Sequence, residues 1–143
     1  KQNKIHSSPL TGNQKIILKQ QYHACYIAEA SGKGGHKMPV NATKETLKEL
    51  TATGTVVVDF WAPWCGPCKV LDPILSALEK ELSGLKVVRY NVEADASVPQ
   101  TLGIMTVPTI VVYQQGQPKE KVSGVYAKEK LKRYFEKKLE AAR

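Results

Sequence analysis

The chain has 143 residues, enough for one domain of ordinary size with a core of its own. Its 42% hydrophobic and 24% charged residues suit a soluble globular protein and exclude a disordered or membrane-spanning one; no run reaches the roughly 20 apolar residues of a membrane helix, and Ile16-Ile17-Leu18 is too short for a signal-peptide core. The net charge of +8 sits mostly in residues 1–37, with six lysines against one glutamate and no nucleic-acid motif, so no nucleic-acid partner is expected; three cysteines form no disulfide framework, which points to a reducing, cytoplasmic setting.

Residues 1–37 read as a basic, disordered extension. Pro9, Gly12 and the linker-like Ser31-Gly32-Lys33-Gly34-Gly35 break any periodicity, and His6, His23, His36 and Cys25 all fall here. Cys25 reads as an incidental exposed thiol. A tag, a fusion scar or a misassigned start upstream of Met38 would account for the segment, because residues 38–143 alone make a complete domain.

From Thr43 the pattern is regular. Thr43 is a fair N-cap for a short helix that carries Leu47 and Leu50 on one side and ends near Gly54. Thr55–Trp61 is a near-continuous apolar strand, the mark of burial on both faces of a helix-covered sheet. A helix then runs from the cysteines to about Leu82, closed by Gly84, with Val70, Leu71, Ile74, Leu75, Leu78 and Leu82 on one side and a kink expected at Pro73. Strand Lys86–Val92 follows, then a short helix from about Asp95-Ala96-Ser97 to Gly103. Thr109–Tyr113 and Lys119–Gly124 form a hairpin, and a final helix from Lys128 presents Leu131, Tyr134, Phe135, Leu139 and Ala142 on one face. The order is that of an α/β protein with a central mixed sheet flanked by helices on both faces.

The chemistry sits where the buried strand turns into the long helix. Cys65 and Cys68 are three residues apart at the helix N-terminus, close enough in that geometry for a disulfide. The unsatisfied N–H groups and positive dipole end there favour a thiolate, so Cys65 is the candidate nucleophile and Cys68, one turn inside, the more buried resolving thiol. Gly66 offers little steric hindrance, and Pro67 suits the first turn. Zinc normally needs four ligands; no second cysteine pair exists and the histidines lie far away in sequence, so no metal is expected. Asp59 ends a buried strand, where an unpaired carboxylate is costly.

Trp64-Cys65-Gly66-Pro67-Cys68-Lys69, preceded by Asp59-Phe60-Trp61-Ala62, resembles the active-site region of the thioredoxin family, and the element order from about residue 40 onward resembles its fold. The resemblance implies a protein-disulfide reductase that maintains cell redox homeostasis and electron transport, with Cys65, Cys68 and Asp59 as the catalytic set. Asp59 would act through water as the proton acceptor that helps Cys68 ionise. It implies that Pro108 of Val107-Pro108-Thr109 is cis and shields the thiols from metals, and that the Val107 backbone pairs with an extended substrate. Trp64, Gly66, Pro67 and Gly124 complete the implied docking surface, while Trp61 is mainly core and Lys69 adds positive potential. Gly-Pro between the cysteines is typical of the reducing members. The implied partners are disulfide-containing proteins and a thioredoxin reductase that draws on NADPH, with no cofactor bound to this chain and a monomer as the working form. Two departures stand out: Arg89 replaces a lysine common near the buried Asp, and Met38–Ala42 is shorter than the family's first strand, leaving part of it for the extension to supply.

Overall fold

The computed structural model describes residues 39–143; the extension expected over residues 1–37, with Cys25 and the three histidines, lies outside the described residues. The elements run β1 (Val40–Ala42), α1 (Lys44–Leu50), β2 (Thr55–Trp61), α2 (Gly66–Glu81), β3 (Leu85–Asn91), α3 (Ser97–Thr101), β4 (Thr109–Gln114), β5 (Gln117–Ser123) and α4 (Lys128–Ala141). The strands form one sheet in the order β1-β3-β2-β4-β5. β2 is central, parallel to β3 and antiparallel to β4. That position explains its composition: with neighbours on both edges and helices on both faces, every residue from Thr55 to Phe60 is buried. The first strand is short but present, pairing parallel with β3 from Val40 opposite Val88 to Ala42 opposite Tyr90.

Strand periodicity divides the core in two. Val57 faces a cluster built with Leu71, Leu75 and Leu78 of α2 and Leu131 and Phe135 of α4. Val56, Val58 and Phe60 point the other way, toward Leu47 of α1 and Val98 of α3. Asp59, two residues from Val57, is thereby aimed at the face that α2 covers.

Local chemistry sets the element ends. Thr43 and Thr46 form a reciprocal capping box at the start of α1, each side chain bonding the other's backbone N–H. The β4–β5 hairpin turns through Gln115 (φ 50°) and Gly116 (φ 80°), a left-handed pair that a glycine at the second position makes inexpensive. β5 is an edge strand, and its exposed Lys119, Glu120 and Lys121 discourage pairing with a further chain. Pro73 does not end α2, which continues as one helix to Glu81.

Candidate active site

Cys65 is the N-cap of α2. Its backbone is extended (φ −80°, ψ 105°), so its side chain folds over the first turn and its sulfur accepts the Cys68 N–H at 3.2 Å. One of the orphan donors of the helix start is thus spent on sulfur. Cys65 and Cys68 are joined as a disulfide with Cα atoms 5.4 Å apart. Both are buried, Cys65 slightly less than Cys68, and they pack with Ala62, Trp61, Val92 and Val107. Pro67 lies in the first turn, where its missing N–H costs nothing, and no acidic side chain there opposes a thiolate. Gly66 and Pro67 are exposed, as is Lys69, and a Cβ added to Gly66 would meet nothing within 4 Å. Trp64 is 69% exposed, and its indole N–H donates to Glu93 Oε1 at 2.5 Å.

Beneath α2 lies Asp59, fully buried, with neither carboxylate oxygen hydrogen-bonded among the described residues. Burial is the largest influence on it and raises its pKa from 3.8 to about 7; Arg89 pulls the other way, and Asp72 adds a further upward push. The β2–β3 register sets Arg89 opposite Asp59. Yet the guanidinium is shared: Arg89 Nε lies 4.0 Å from Asp59 Oδ2 and 3.2 Å from Asp72 Oδ1, and its Cζ sits 4.3 Å from the centroid of the Trp61 ring. The sequence pattern alone does not single out Asp72 or Glu93. The signal for Asp72 was its spacing, four residues past Cys68 and therefore on the same side of the helix.

The loop before β4 brings up the third part. The Val107–Pro108 peptide is cis, Pro108 is buried, and Val107 packs on the cysteine cluster. Two bonds fasten the loop: Gly124 N–H donates to Pro108 O at 2.9 Å, and Thr109 Oγ1 donates to Thr106 O at 2.7 Å. Gly124 has φ 95°, which explains a glycine there. The residues singled out in the sequence fall into three groups: the cysteine turn with Trp64, Gly66 and Pro67; the buried Asp59 on the sheet face that α2 covers; and the Val107–Pro108 loop, packed on the cysteines through Val107 and tied to Gly124.

The thioredoxin family model matches residues 38–137. A thioredoxin of Rickettsia felis is 37% identical over 105 residues, covering 71% of this chain and 100% of the relative. One of Bacillus subtilis is 38% identical over 101 residues, covering 70% and 97%. Among solved structures, the N21Q mutant thioredoxin from Halobacterium salinarum NRC-1 superposes with a TM-score of 0.66 at 29% identity, covering 74% of this chain and 95% of that one. The chain belongs to the thioredoxin family. Thioredoxin-family proteins are thiol–disulfide oxidoreductases, and the bonded cysteine pair at a helix N-terminus is the equipment of a thiol–disulfide reductase. The thioredoxin fold expected from the motif is the one found, as a five-stranded mixed sheet with helices. Among the described residues, no helix is long and apolar enough to cross a membrane, and no group of three or more His, Cys, Asp and Glu side chains is placed to hold a metal ion.

Proposed function

We propose that Cys65 is the attacking thiolate and Cys68 the resolving thiol in the reduction of protein disulfides. One observation carries the assignment: the Cys65 sulfur already occupies the anion position of the α2 N-terminus and accepts the Cys68 N–H at 3.2 Å. In the reduced protein, the Cys65 thiolate attacks one sulfur of the substrate disulfide. That S–S bond breaks, the first substrate thiolate leaves and takes a proton, and a mixed disulfide joins Cys65 to the substrate. Asp59 takes the proton of Cys68, through water where the two do not meet. The Cys68 thiolate then attacks Cys65 Sγ and expels the second substrate thiolate. Two electrons have passed to the substrate, and the Cys65–Cys68 disulfide remains.

An acceptor with a pKa near 7 suits this work, being partly ionised at neutral pH yet basic enough to hold a proton. Trp64, Gly66 and Pro67 on the exposed side, with Val107, Pro108 and Gly124 opposite, form the docking surface. Val107 pairs its backbone with an extended substrate segment, which makes recognition tolerant of sequence. A thioredoxin reductase drawing on NADPH returns the electrons, so NADPH is used indirectly and residues 38–143 act as a carrier in electron transport, with 1–37 an extension outside that domain. The setting is the cytoplasm, consistent with a chain of three cysteines. The protein works as a monomer: the exposed large apolar side chains among the described residues are Trp64, Val70, Met105 and Val125, too few for an apolar dimer interface.

The test is a pair of variants with a disulfide-linked two-chain polypeptide as substrate and a dithiol as reductant. Cys65→Ser abolishes turnover, and Cys68→Ser accumulates a mixed disulfide through Cys65, seen by mass spectrometry. Turnover that survives Cys65→Ser, or trapping through Cys68, would reverse the assignment.

A further inference from the structure

The Arg89 guanidinium stands between two carboxylates of different character. Asp59 is fully buried and without a hydrogen-bond partner among the described residues, whereas Asp72 is 34% exposed. Nε lies nearer Asp72, by 3.2 Å against 4.0 Å, and the Trp61 ring backs the guanidinium at 4.3 Å. The contact with Asp72 lacks the alignment of a hydrogen bond, since Nε has no such partner among the described residues. The guanidinium is therefore held by charge and by the indole face rather than locked by a fork of bonds. It is close enough to Asp59 that a small rotation would bring its donors onto that carboxylate.

We propose that Asp72 is a positioning residue: it competes with Asp59 for Arg89 and holds the guanidinium on the α2 side, keeping it from closing onto the buried acid. The charged groups facing Asp59 are few. β3 contributes Arg89, α2 contributes Asp72 together with the cysteine pair, and β4 sets the apolar Ile110 beside it. Burial is the largest influence on Asp59, and among its few charged neighbours Arg89 exerts the strongest opposing pull, so the placement of that one cation adjusts how readily the acid ionises. Asp72 acts twice in the same direction, by drawing the cation away and by adding its own negative charge. Cys68 and Asp72 are four residues apart on one side of α2, so the helix carries both the resolving thiol and the charge that adjusts its proton acceptor. The catalytic consequence rests on the reading of Asp59 given above; the electrostatic one does not.

The experiment follows the Asp59 carboxyl by 13C NMR as oxidised full-length protein is titrated, in wild type and in Asp72→Ala. Asp72 lies on the helix surface, so the variant keeps the core. Its Asp59 midpoint is expected to fall by roughly one pH unit as the guanidinium closes in, and Asp72→Glu to restore it. The fall is expected to be smaller in an Arg89→Leu background, where only the direct repulsion between the two acids is left. An Asp59 midpoint that stays put or rises in Asp72→Ala overturns the proposal, as does an equal fall with and without Arg89. The pH profile of disulfide reduction separates the two readings. An acid limb that follows the NMR midpoint supports both. An NMR midpoint that moves under an unmoved profile keeps Asp72 in its place and removes Asp59 as proton acceptor.

Discussion

Asp59→Asn should make the protein more stable at neutral pH, and by an amount that depends on pH in a defined way. The folded protein holds this acid at a pKa of about 7 against 3.8 for the free group, chiefly because burial disfavours the anion. Between those two values the native state binds more protons than the unfolded chain, so this group's contribution makes stability fall as pH rises, and the effect is level below 4 and above 7. From 3.8 to about 7, at about 1.4 kcal/mol per pH unit, the loss comes to about 4 kcal/mol. Asparagine has nearly the same shape and cannot ionise. The variant is expected to match wild type near pH 4 and to exceed it by about 4 kcal/mol at pH 8. Glu45, Glu81, Asp95 and Glu120, held below the ordinary range by hydrogen bonds from Thr43, Lys128, Ser97 and Lys138 respectively, are common to both proteins and cancel in the difference. Urea unfolding of the oxidised proteins from pH 4 to 8.5, followed by tryptophan fluorescence, measures it. A stability difference that is flat across this range refutes the argument.

Leu75→Ala removes a side chain only 1% exposed at the contact of α2 with the sheet and α4, and is expected to cost about 2–5 kcal/mol in chemical denaturation. Gly124→Ala forces a Cβ onto a φ of 95°, with open space around it, so backbone strain alone should cost about 1–2 kcal/mol; because Gly124 N–H holds Pro108 O, the KM for protein disulfides should rise too. Trp64→Ala exposes nothing of the core and should change stability by no more than about 0.5 kcal/mol, while KM rises several-fold at constant kcat; a large drop in melting temperature would contradict that role.

The architecture was legible because its signals are local and strong. The apolar run Thr55–Trp61 could only be a strand buried on both faces, and its observed bounds are the expected ones. Cys65 and Cys68 announced themselves by spacing and by the helix that follows. What the sequence did not expose depends on register between distant segments. Arg89 was marked as a substitution, but only the pairing of β2 with β3 sets it opposite Asp59. Nothing in the primary order brings residue 72 to residue 89, so the Asp72–Arg89 contact is not legible there. α2 runs past Pro73 to Glu81, close to the expected end near Leu82, and the packing of Leu71, Leu75 and Leu78 on the sheet holds it together across the proline. The short β1 is sustained by its pairing with β3, a long-range partner that local propensity cannot reveal.

Burial gives Asp59 two consequences of opposite sign. A carboxyl in water would ionise near 3.8 and hold a thiol's proton poorly; buried under α2 it keeps its proton up to about 7, and the fold is less stable at neutral pH for carrying it. On the proposed roles, Asp59→Asn separates the two, giving a more stable protein whose mixed disulfides resolve more slowly. Leu75→Ala damages the packing of the same helix and lowers stability with no gain of any kind. Selection for thermal resistance alone would therefore accept a neutral side chain at residue 59, and selection for exchange rate would reject it, which is the expected pattern where a strained site is retained for its chemistry. Arg89 and Asp72 fit between these pressures. A guanidinium closed fully onto Asp59 would relieve the instability and return the acid toward an ordinary, weaker base, whereas one held partly away by Asp72 leaves the acid near neutrality, where proton transfer to and from a thiol is best matched.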